Sequence, residues 1–233
     1  GDINMISLEI ETISKYIKAG DRILDAGCAN GYSTLRYISK KPSLIKGFDY
    51  SPRMVTSANK RLKNTKTAVP VQFYQADIHN IPEKTGYFDV SITTRVLINL
   101  PSWKLQKAAI DEMIRVTKPG GAVLFSEAFR GAFKKMNTLR NLFSLPPLIM
   151  PSFNNYLDEN ILGEYLRKKK LRYEIVNFSS IYYIGSRLIR EIYLNENEEA
   201  SFKHFINNFF LDLERKRDGQ DFGIQKLFIV KKE

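Results

Sequence analysis

The chain is poor in the residues that build metal centres and covalent cross-links. Its 233 residues include one cysteine, Cys28, and two histidines, His79 and His204. A lone thiol cannot close an intrachain disulfide, and a cysteine-rich metal site cannot form. No cluster of ligand residues has recognisable metal spacing, so no metal is expected. Long apolar runs are missing as well. The best candidate, Leu142 to Met150, is broken by Pro146 and Pro147 and falls far short of a bilayer span. No basic-then-apolar leader opens the sequence. These absences lead to the expectation of a cytoplasmic protein with no transmembrane segment, monomeric or homodimeric. Internal repeats and low-complexity tracts are absent too, which excludes repeat arrays and disordered linkers.

What is present points to a single core. Apolar residues make up 43% of the chain and aromatic residues 12%, too many for a disordered segment. The length suits one large domain, or one domain with a small cap. The formal charge of +11 speaks to partners rather than to fold. It suits nucleic acid, an anionic membrane or a phosphorylated small molecule, weighed against plain solubility.

Short apolar runs alternate with helical patterns through the front half. Ile6, Ile10, Ile13 and Ile17 lie on one helical stripe. Arg22 to Asp25 reads as a short buried strand ending in a glycine-bearing turn, and Ser33 to Ser39 as a helix. Ile45 to Asp49 is a second strand, and Ser51-Pro52 opens the next helix, with proline in a tolerated first-turn position. Val71 to Ala76 and Phe88 to Thr93 are the third and fourth strands. Leu105 to Val116 is helical and is stopped by Lys118-Pro119-Gly120-Gly121. Ala122 to Glu127 is the fifth strand, Asp158 to Lys170 a helix, Leu171 to Tyr183 a sixth strand and Phe222 to Val230 a seventh.

Alternation of this kind predicts an α/β fold: a doubly wound, mostly parallel seven-stranded sheet with helices on both faces and an antiparallel last strand. The organisation expected is a single domain. Its core comprises residues 1–128, with 158–183 and 222–233 completing the sheet. Two cap insertions, 129–157 (loop-rich) and 184–221 (largely helical), follow strands five and six. Ligands of such sheets bind outside the carboxyl ends of the strands. The loops after Asp25, Asp49, Asp77 and Thr93 therefore converge.

The residues at those loops suit a nucleoside carrying an amino acid. Gly27 and Gly31 let the backbone approach a ligand and take positive φ. A helix start there offers N–H groups to a carboxylate. Asp49, at the end of the second strand, can accept both hydroxyls of a ribose. Asp77 can accept from an exocyclic amine.

At these residues the chain resembles the class I S-adenosylmethionine-dependent methyltransferase family, over roughly residues 8 to 128. The family's D-x-G-x-G-x-G turn is similar to Asp25, Gly27, Ala29 and Gly31, with alanine replacing the middle glycine. Its ribose acid falls on Asp49 and its adenine-contacting acid on Asp77, followed by Ile78. Phe88-Asp89-Val90 with Thr94-Arg95-Val96-Leu97 is similar to its fourth-strand motif, and Arg115 to Gly121 to its turn before strand five. The resemblance implies S-adenosylmethionine as cofactor, S-adenosylhomocysteine as product, and a cofactor site of Asp25, Gly27, Cys28 through its backbone, Gly31, Asp49, Tyr50, Met54, Asp77, Ile78 and Thr94. Asn99 stands where relatives often carry histidine, which speaks against histidine catalysis from that loop.

A dinucleotide-binding dehydrogenase needs a third small residue in G-x-G-x-x-G. Here that position is Tyr32, which is too bulky. The candidates for a catalytic base are Glu127 at the end of strand five, His204 and Tyr183. His204 falls opposite the stripe Phe202, Phe205, Ile206, Phe209 and Leu213, a placement that favours solvent; Tyr183 reads equally as core. His79 reads as a solvated loop residue. Basic residues spread through the expected caps (Arg130, Lys134, Lys135, Arg140, Arg187, Arg190) favour an anionic acceptor. The expected reaction is in-line methyl transfer to an oxygen of an anionic or phosphorylated small molecule, such as a sugar or surface-polysaccharide precursor. The competing readings are a nucleic-acid methyltransferase and a non-catalytic cofactor-binding subunit. The first lacks the aromatic-proline loop that stacks a flipped base.

Overall fold

The computed structural model describes residues 2–194, 204–216 and 221–233. Helix α1 (Ile3–Ser14) begins where the Asp2 carboxylate caps the amide of Met5. Strand β1 (Arg22–Ala26) leads into a 3₁₀ segment, Thr34–Lys40. Next come β2 (Leu44–Asp49) and α2 (Pro52–Lys63), the latter capped by Ser51 with proline in its first turn. β3 (Val71–Gln75), β4 (Phe88–Thr94), α3 (Trp103–Val116) and β5 (Thr117–Ala128) complete the front half. Beyond it lie α4 (Arg130–Leu142), α5 (Glu159–Lys168) and β6 (Arg172–Val176). A helical stretch follows, formed by α6 (Ser180–Ile184), a π turn (Gly185–Ile189) and α7 (Arg190–Tyr193). α8 (Phe205–Lys216) and β7 (Gln225–Lys231) close the chain.

The seven strands form one sheet in the order β3-β2-β1-β4-β5-β7-β6. β7 runs antiparallel to both neighbours and the other six run the same way. The doubly wound α/β architecture is as expected. Register aligns the strand ends: Ala26 lies beside Phe48 and Thr93, Asp49 beside Gln75, and Thr94 beside Ser126. The loops that follow therefore meet at one rim.

Successive side chains feed opposite faces. Ile23, Ile45, Ile92, Leu124 and Ile229 pack with Leu8 and Ile13 of α1, Tyr182 of α6 and Leu211 of α8. Leu24, Phe48, Phe125, Phe228 and Val230 pack with Ile110 and Met113 of α3 and with Leu162 and Leu166 of α5. At the edge, Phe228 stacks between Phe129 and Tyr173, with centroids 4.9 and 5.6 Å away.

Three local expectations change. The sixth strand stops at Val176, and Tyr182 and Tyr183 lie in α6. The aromatic, β-branched run suits either structure. Tertiary contacts decide for helix: Glu214 of α8 accepts the amide of Tyr182 at 2.8 Å, and the Tyr182 hydroxyl donates to Asp2 at 2.6 Å. Segment 129–157 is not all loop, because α4 fills thirteen residues of it; the buried spacing Ala132, Met136, Arg140 shows the helical face. The helix after Gly31 is a 3₁₀ segment. Of the segment 184–221, residues 195–203 and 217–220, including Phe202, lie outside the described residues.

Candidate active site

The β1 turn is tied to β2. The amides of Gly27 and Cys28 both donate to the carbonyl of Phe48 at 2.8 Å, and Gly31 N–H closes the turn on the carbonyl of Cys28 at 2.9 Å. Gly27 (φ +80°), Ala29 (φ +47°) and Gly31 (φ +71°) all take left-handed backbone. A side chain at Gly27 would collide with Val96 on the β4 loop, and one at Gly31 would press on Phe73 and Ala58. Gly27 thus lets Val96 pack against the turn at the rim, whereas Gly31 serves the packing beneath it.

Above this turn lies a cleft of about 620 Å³ walled by Gly27, Ala29, Phe48, Asp49, Tyr50 and, from the next loops, Ala76 to His79, Thr94 to Val96, Asn99 and Leu100. The Asp49 carboxylate accepts the amides of Ala29 and Ser51, each at 2.9 Å, which fixes its direction and leaves lone pairs for a ligand. Asp77 accepts the amide of His79 at 2.9 Å and faces its Nδ1 at 2.8 Å. These bonds hold its carboxyl below the usual range, the backbone bond most strongly. Tyr50 is 75% exposed and offers its ring to the cleft mouth.

Not every expected cofactor residue reaches this cleft. Asp49, Tyr50, Asp77, Ile78, Thr94 and Gly27 are brought together on its wall. Asp25 is 3% exposed and accepts the Thr34 hydroxyl at 2.5 Å, so its carboxylate braces the turn from below. Burial raises it to about 6, and the neighbouring carboxylates of Glu9 and Asp49 add to the rise. Cys28 is buried with its thiol held protonated by burial, and Met54 is a half-buried residue of α2; neither side chain is part of the described wall.

The base candidates separate in the same way. Glu127 is fully buried, and its carboxylate accepts the Thr93 hydroxyl and the amides of Val96 and Leu97 on one oxygen and of Ile98 on the other, at 3.0–3.3 Å. Burial pushes it up to about 7 against those four donors. Fully buried and absent from the walls of the cleft, Glu127 shapes the β4 loop and presents no base to a ligand there. His204 precedes α8, its ring between Tyr193 and Phe205 (centroids 5.8 and 4.7 Å) and its Nδ1 accepting from Ile206. It contributes to no described wall of the cleft or of the neighbouring cavity.

Tyr183 does line that second cavity, which has a volume of about 350 Å³. Its walls include Met5, Ile98, Phe133, Leu148, Tyr156 and Ile224, together with Arg95, Arg187 and Gln225. Burial pushes the Tyr183 hydroxyl up to about 12, so it stays protonated at neutral pH. Arg95 belongs to both spaces. Its φ is +54°, its amide donates to the Ser126 carbonyl at 2.9 Å, and its guanidinium faces Glu9 at 3.3 Å. Glu9 is itself 1% exposed and held by the Ser126 hydroxyl at 2.6 Å. Arg95 carries no site signal in the sequence, because neither its left-handed backbone nor its partner on α1 is marked locally. Arg187 and His79 were legible only as a basic residue and a loop residue.

A Rossmann-like sheet with two acids and a glycine turn at its switch point defines an adenosyl-cofactor protein. Residues 17–178 match the family described as a methyltransferase domain, and the chain belongs to the class I S-adenosylmethionine-dependent methyltransferases. It is 30% identical over 112 residues to the 27-O-demethylrifamycin SV methyltransferase of Amycolatopsis mediterranei, covering 48% of this chain and 40% of that protein. It is 32% identical over 136 residues to the ubiquinone/menaquinone biosynthesis C-methyltransferase UbiE of Nitrosospira multiformis, covering 57% and 52%. The chain thus spans about half or less of these relatives. In fold it is similar to the magnesium protoporphyrin IX methyltransferase of Synechocystis with bound SAH, at TM-score 0.64 and 14% identity, covering 99% of this chain and 84% of that one.

Proposed function

We propose that this protein transfers a methyl group from S-adenosylmethionine to an anionic oxygen of a small molecule seated in the second cavity. The observation that carries the reading is Arg95, whose side of the β4 loop walls both the cofactor cleft and the cavity. The cleft fits the cofactor on its own features. Gly27 and Val96 share its wall, packed so closely that the turn admits no side chain, and the Asp49 carboxylate is aimed by two amides. Asp49 would hold the ribose hydroxyls and Asp77 the adenine amine, with Ile78 and Leu100 against the ring. Bound there, the sulfonium supplies an electrophilic methyl group.

The protein's part is placement. Arg95, which pairs with Glu9, and Arg187, which pairs with Asp2 of the same wall, can extend further charge-assisted hydrogen bonds to an anionic acceptor, and a fixed approach removes much of the entropic barrier. Apolar walls exclude competing water. An oxygen that is already anionic needs no general base. That agrees with the commitments of Glu127, the remote place of His204 and the protonated Tyr183.

The reading is tested by incubating the protein with methyl-labelled S-adenosylmethionine and, separately, a pool of small organic acids, a pool of neutral metabolites, and mixed RNA. Label is expected in the acidic pool. Label confined to RNA or to neutral compounds overturns the acceptor assignment.

A further inference from the structure

Two independent features meet on α4 and the loop after it, which gives Ile149 to the wall of the second cavity. The first is apolar exposure. Leu142, Phe143, Ile149 and Phe153 are 74, 52, 87 and 74% exposed, on the end of α4 and the loop after it. Pro146, Pro147 and Pro151 keep that loop out of a helix. Its shape is held from α4: the Asn137 side chain bonds both the amide and the carbonyl of Leu148, at 2.8 and 3.1 Å, and Arg140 donates to the Pro146 carbonyl at 2.8 Å. Ile149 is at once the most exposed of the four and a wall residue of the cavity. Exposed apolar groups concentrated in residues 142–153, a rim that Ile149 joins to the cavity, mark an interaction surface.

The second feature is charge. Residues 129–157 contain Arg130, Lys134, Lys135 and Arg140 and not one Asp or Glu. Arg140 is buried, and Arg130, Lys134 and Lys135 are exposed around the same helix, Lys135 pairing with Asp221 and Arg130 bonding to Tyr156 and Asn155. Large apolar side chains beside the exposed Arg130 and Lys134 suit the headgroup region of an anionic bilayer, where the former enter the acyl boundary and the latter meet lipid phosphate. A second copy of the chain would bring the same cations to the same face of a two-fold interface. Single-stranded RNA would favour stacking aromatics over exposed leucine and isoleucine.

We infer that this rim docks on an anionic lipid surface and that the cavity behind it draws an amphiphilic, anionic acceptor from that surface. The acceptor half of the inference rests on the function proposed above; the docking half does not.

The experiment is co-sedimentation of the whole chain at low salt. The vesicles are phosphatidylcholine alone, or phosphatidylcholine mixed with phosphatidylglycerol. The protein is expected to pellet with the mixed vesicles only. Leu142→Ser/Phe143→Ser/Phe153→Ser should weaken that binding by at least about tenfold, and Lys134→Glu should weaken it at low salt more than at high salt. S-adenosylhomocysteine titration of the triple variant should match the parent chain, showing that it is folded. Parent protein left in the supernatant while still binding S-adenosylhomocysteine overturns the docking and spares the cofactor reading. Equal pelleting of the triple variant also overturns it, as does a concentration-dependent dimer that the triple variant abolishes. Vesicle binding without S-adenosylhomocysteine binding supports the docking and removes the cofactor reading.

Discussion

The amide of Ala29 donates to the Asp49 carboxylate at 2.9 Å from a left-handed backbone, φ +47°. A residue with a Cβ pays for that conformation, by about 1–2 kcal/mol. Ala29→Gly removes the strain but loosens the unfolded chain by a few tenths to 1 kcal/mol. A net gain of roughly 0.5 kcal/mol is expected, seen as a rise in Tm of about 1–2 °C, with the affinity for S-adenosylhomocysteine kept. Thermal melting with and without ligand checks both halves, and a fall in Tm would show an unstrained turn.

Val96 packs directly against Gly27 on the wall of the same cleft, in the place a side chain would take. Gly27→Ala would drive a methyl group into the Val96 side chain at a φ of +80°. A loss of about 2 kcal/mol or more is expected, from steric conflict and backbone strain together. Val96→Ala in the same chain should recover about 1 kcal/mol of it, as a double-mutant cycle by chemical denaturation would read. Simple additivity would mean that the two residues do not meet.

Glu127 makes stability fall as pH rises near neutrality. Burial raises its folded pKa from the usual carboxylate value to about 7, and Asp25 rises to about 6. Between the unfolded and folded values the native state holds more protons than the unfolded chain, so the stability they contribute is lost as pH climbs through that window. Tm should decline from about pH 5 to pH 7.5. Glu127→Gln should flatten the decline while lowering Tm at every pH, because its amide N–H₂ would face backbone donors. A parent profile flat over this range would show that the four donors to Glu127 outweigh its burial.

Arg95 offsets the buried charge of Glu9, whose carboxyl is raised by burial and drawn back by the guanidinium. In Arg95→Met that counter-charge is gone, and Glu9 should ionise only at a higher pH. The stability deficit of the variant should therefore be larger at pH 8 than at pH 5, a comparison that denaturant titration makes directly. An equal deficit at both values would mean that the pair carries no charge coupling.

The sheet was legible because its evidence is local and repeated. The apolar run Ala122 to Phe125 follows the turn Pro119-Gly120-Gly121, Ile23 and Leu24 run into the turn Asp25-Ala26-Gly27, and Ser51 and Asp158 cap α2 and α5. Asp49 and Asp77 were legible as cleft residues for the same reason, since a strand end is a place the sequence marks. Asp25 and Gly31 sit in the same motif but act beneath the surface, and only three-dimensional packing against Thr34 and Phe73 separates the two roles. Tyr182 and Tyr183 were misread because a short β-branched, aromatic run fits both periods. Glu214 and Asp2, distant in sequence, decide for helix. Arg95 is not legible as a site residue because its place depends on Glu9, eighty-six positions earlier.

Titration calorimetry with S-adenosylhomocysteine, on the parent chain and on Asp49→Asn, tests the cofactor cleft most directly. Asn can keep one amide contact yet lacks the charge that would hold the ribose. One-to-one binding by the parent chain is expected, weakened about ten- to hundredfold in the variant. Absence of binding by folded parent protein, or equal affinity in the two chains, would contradict the assignment of this cleft to the adenosyl cofactor.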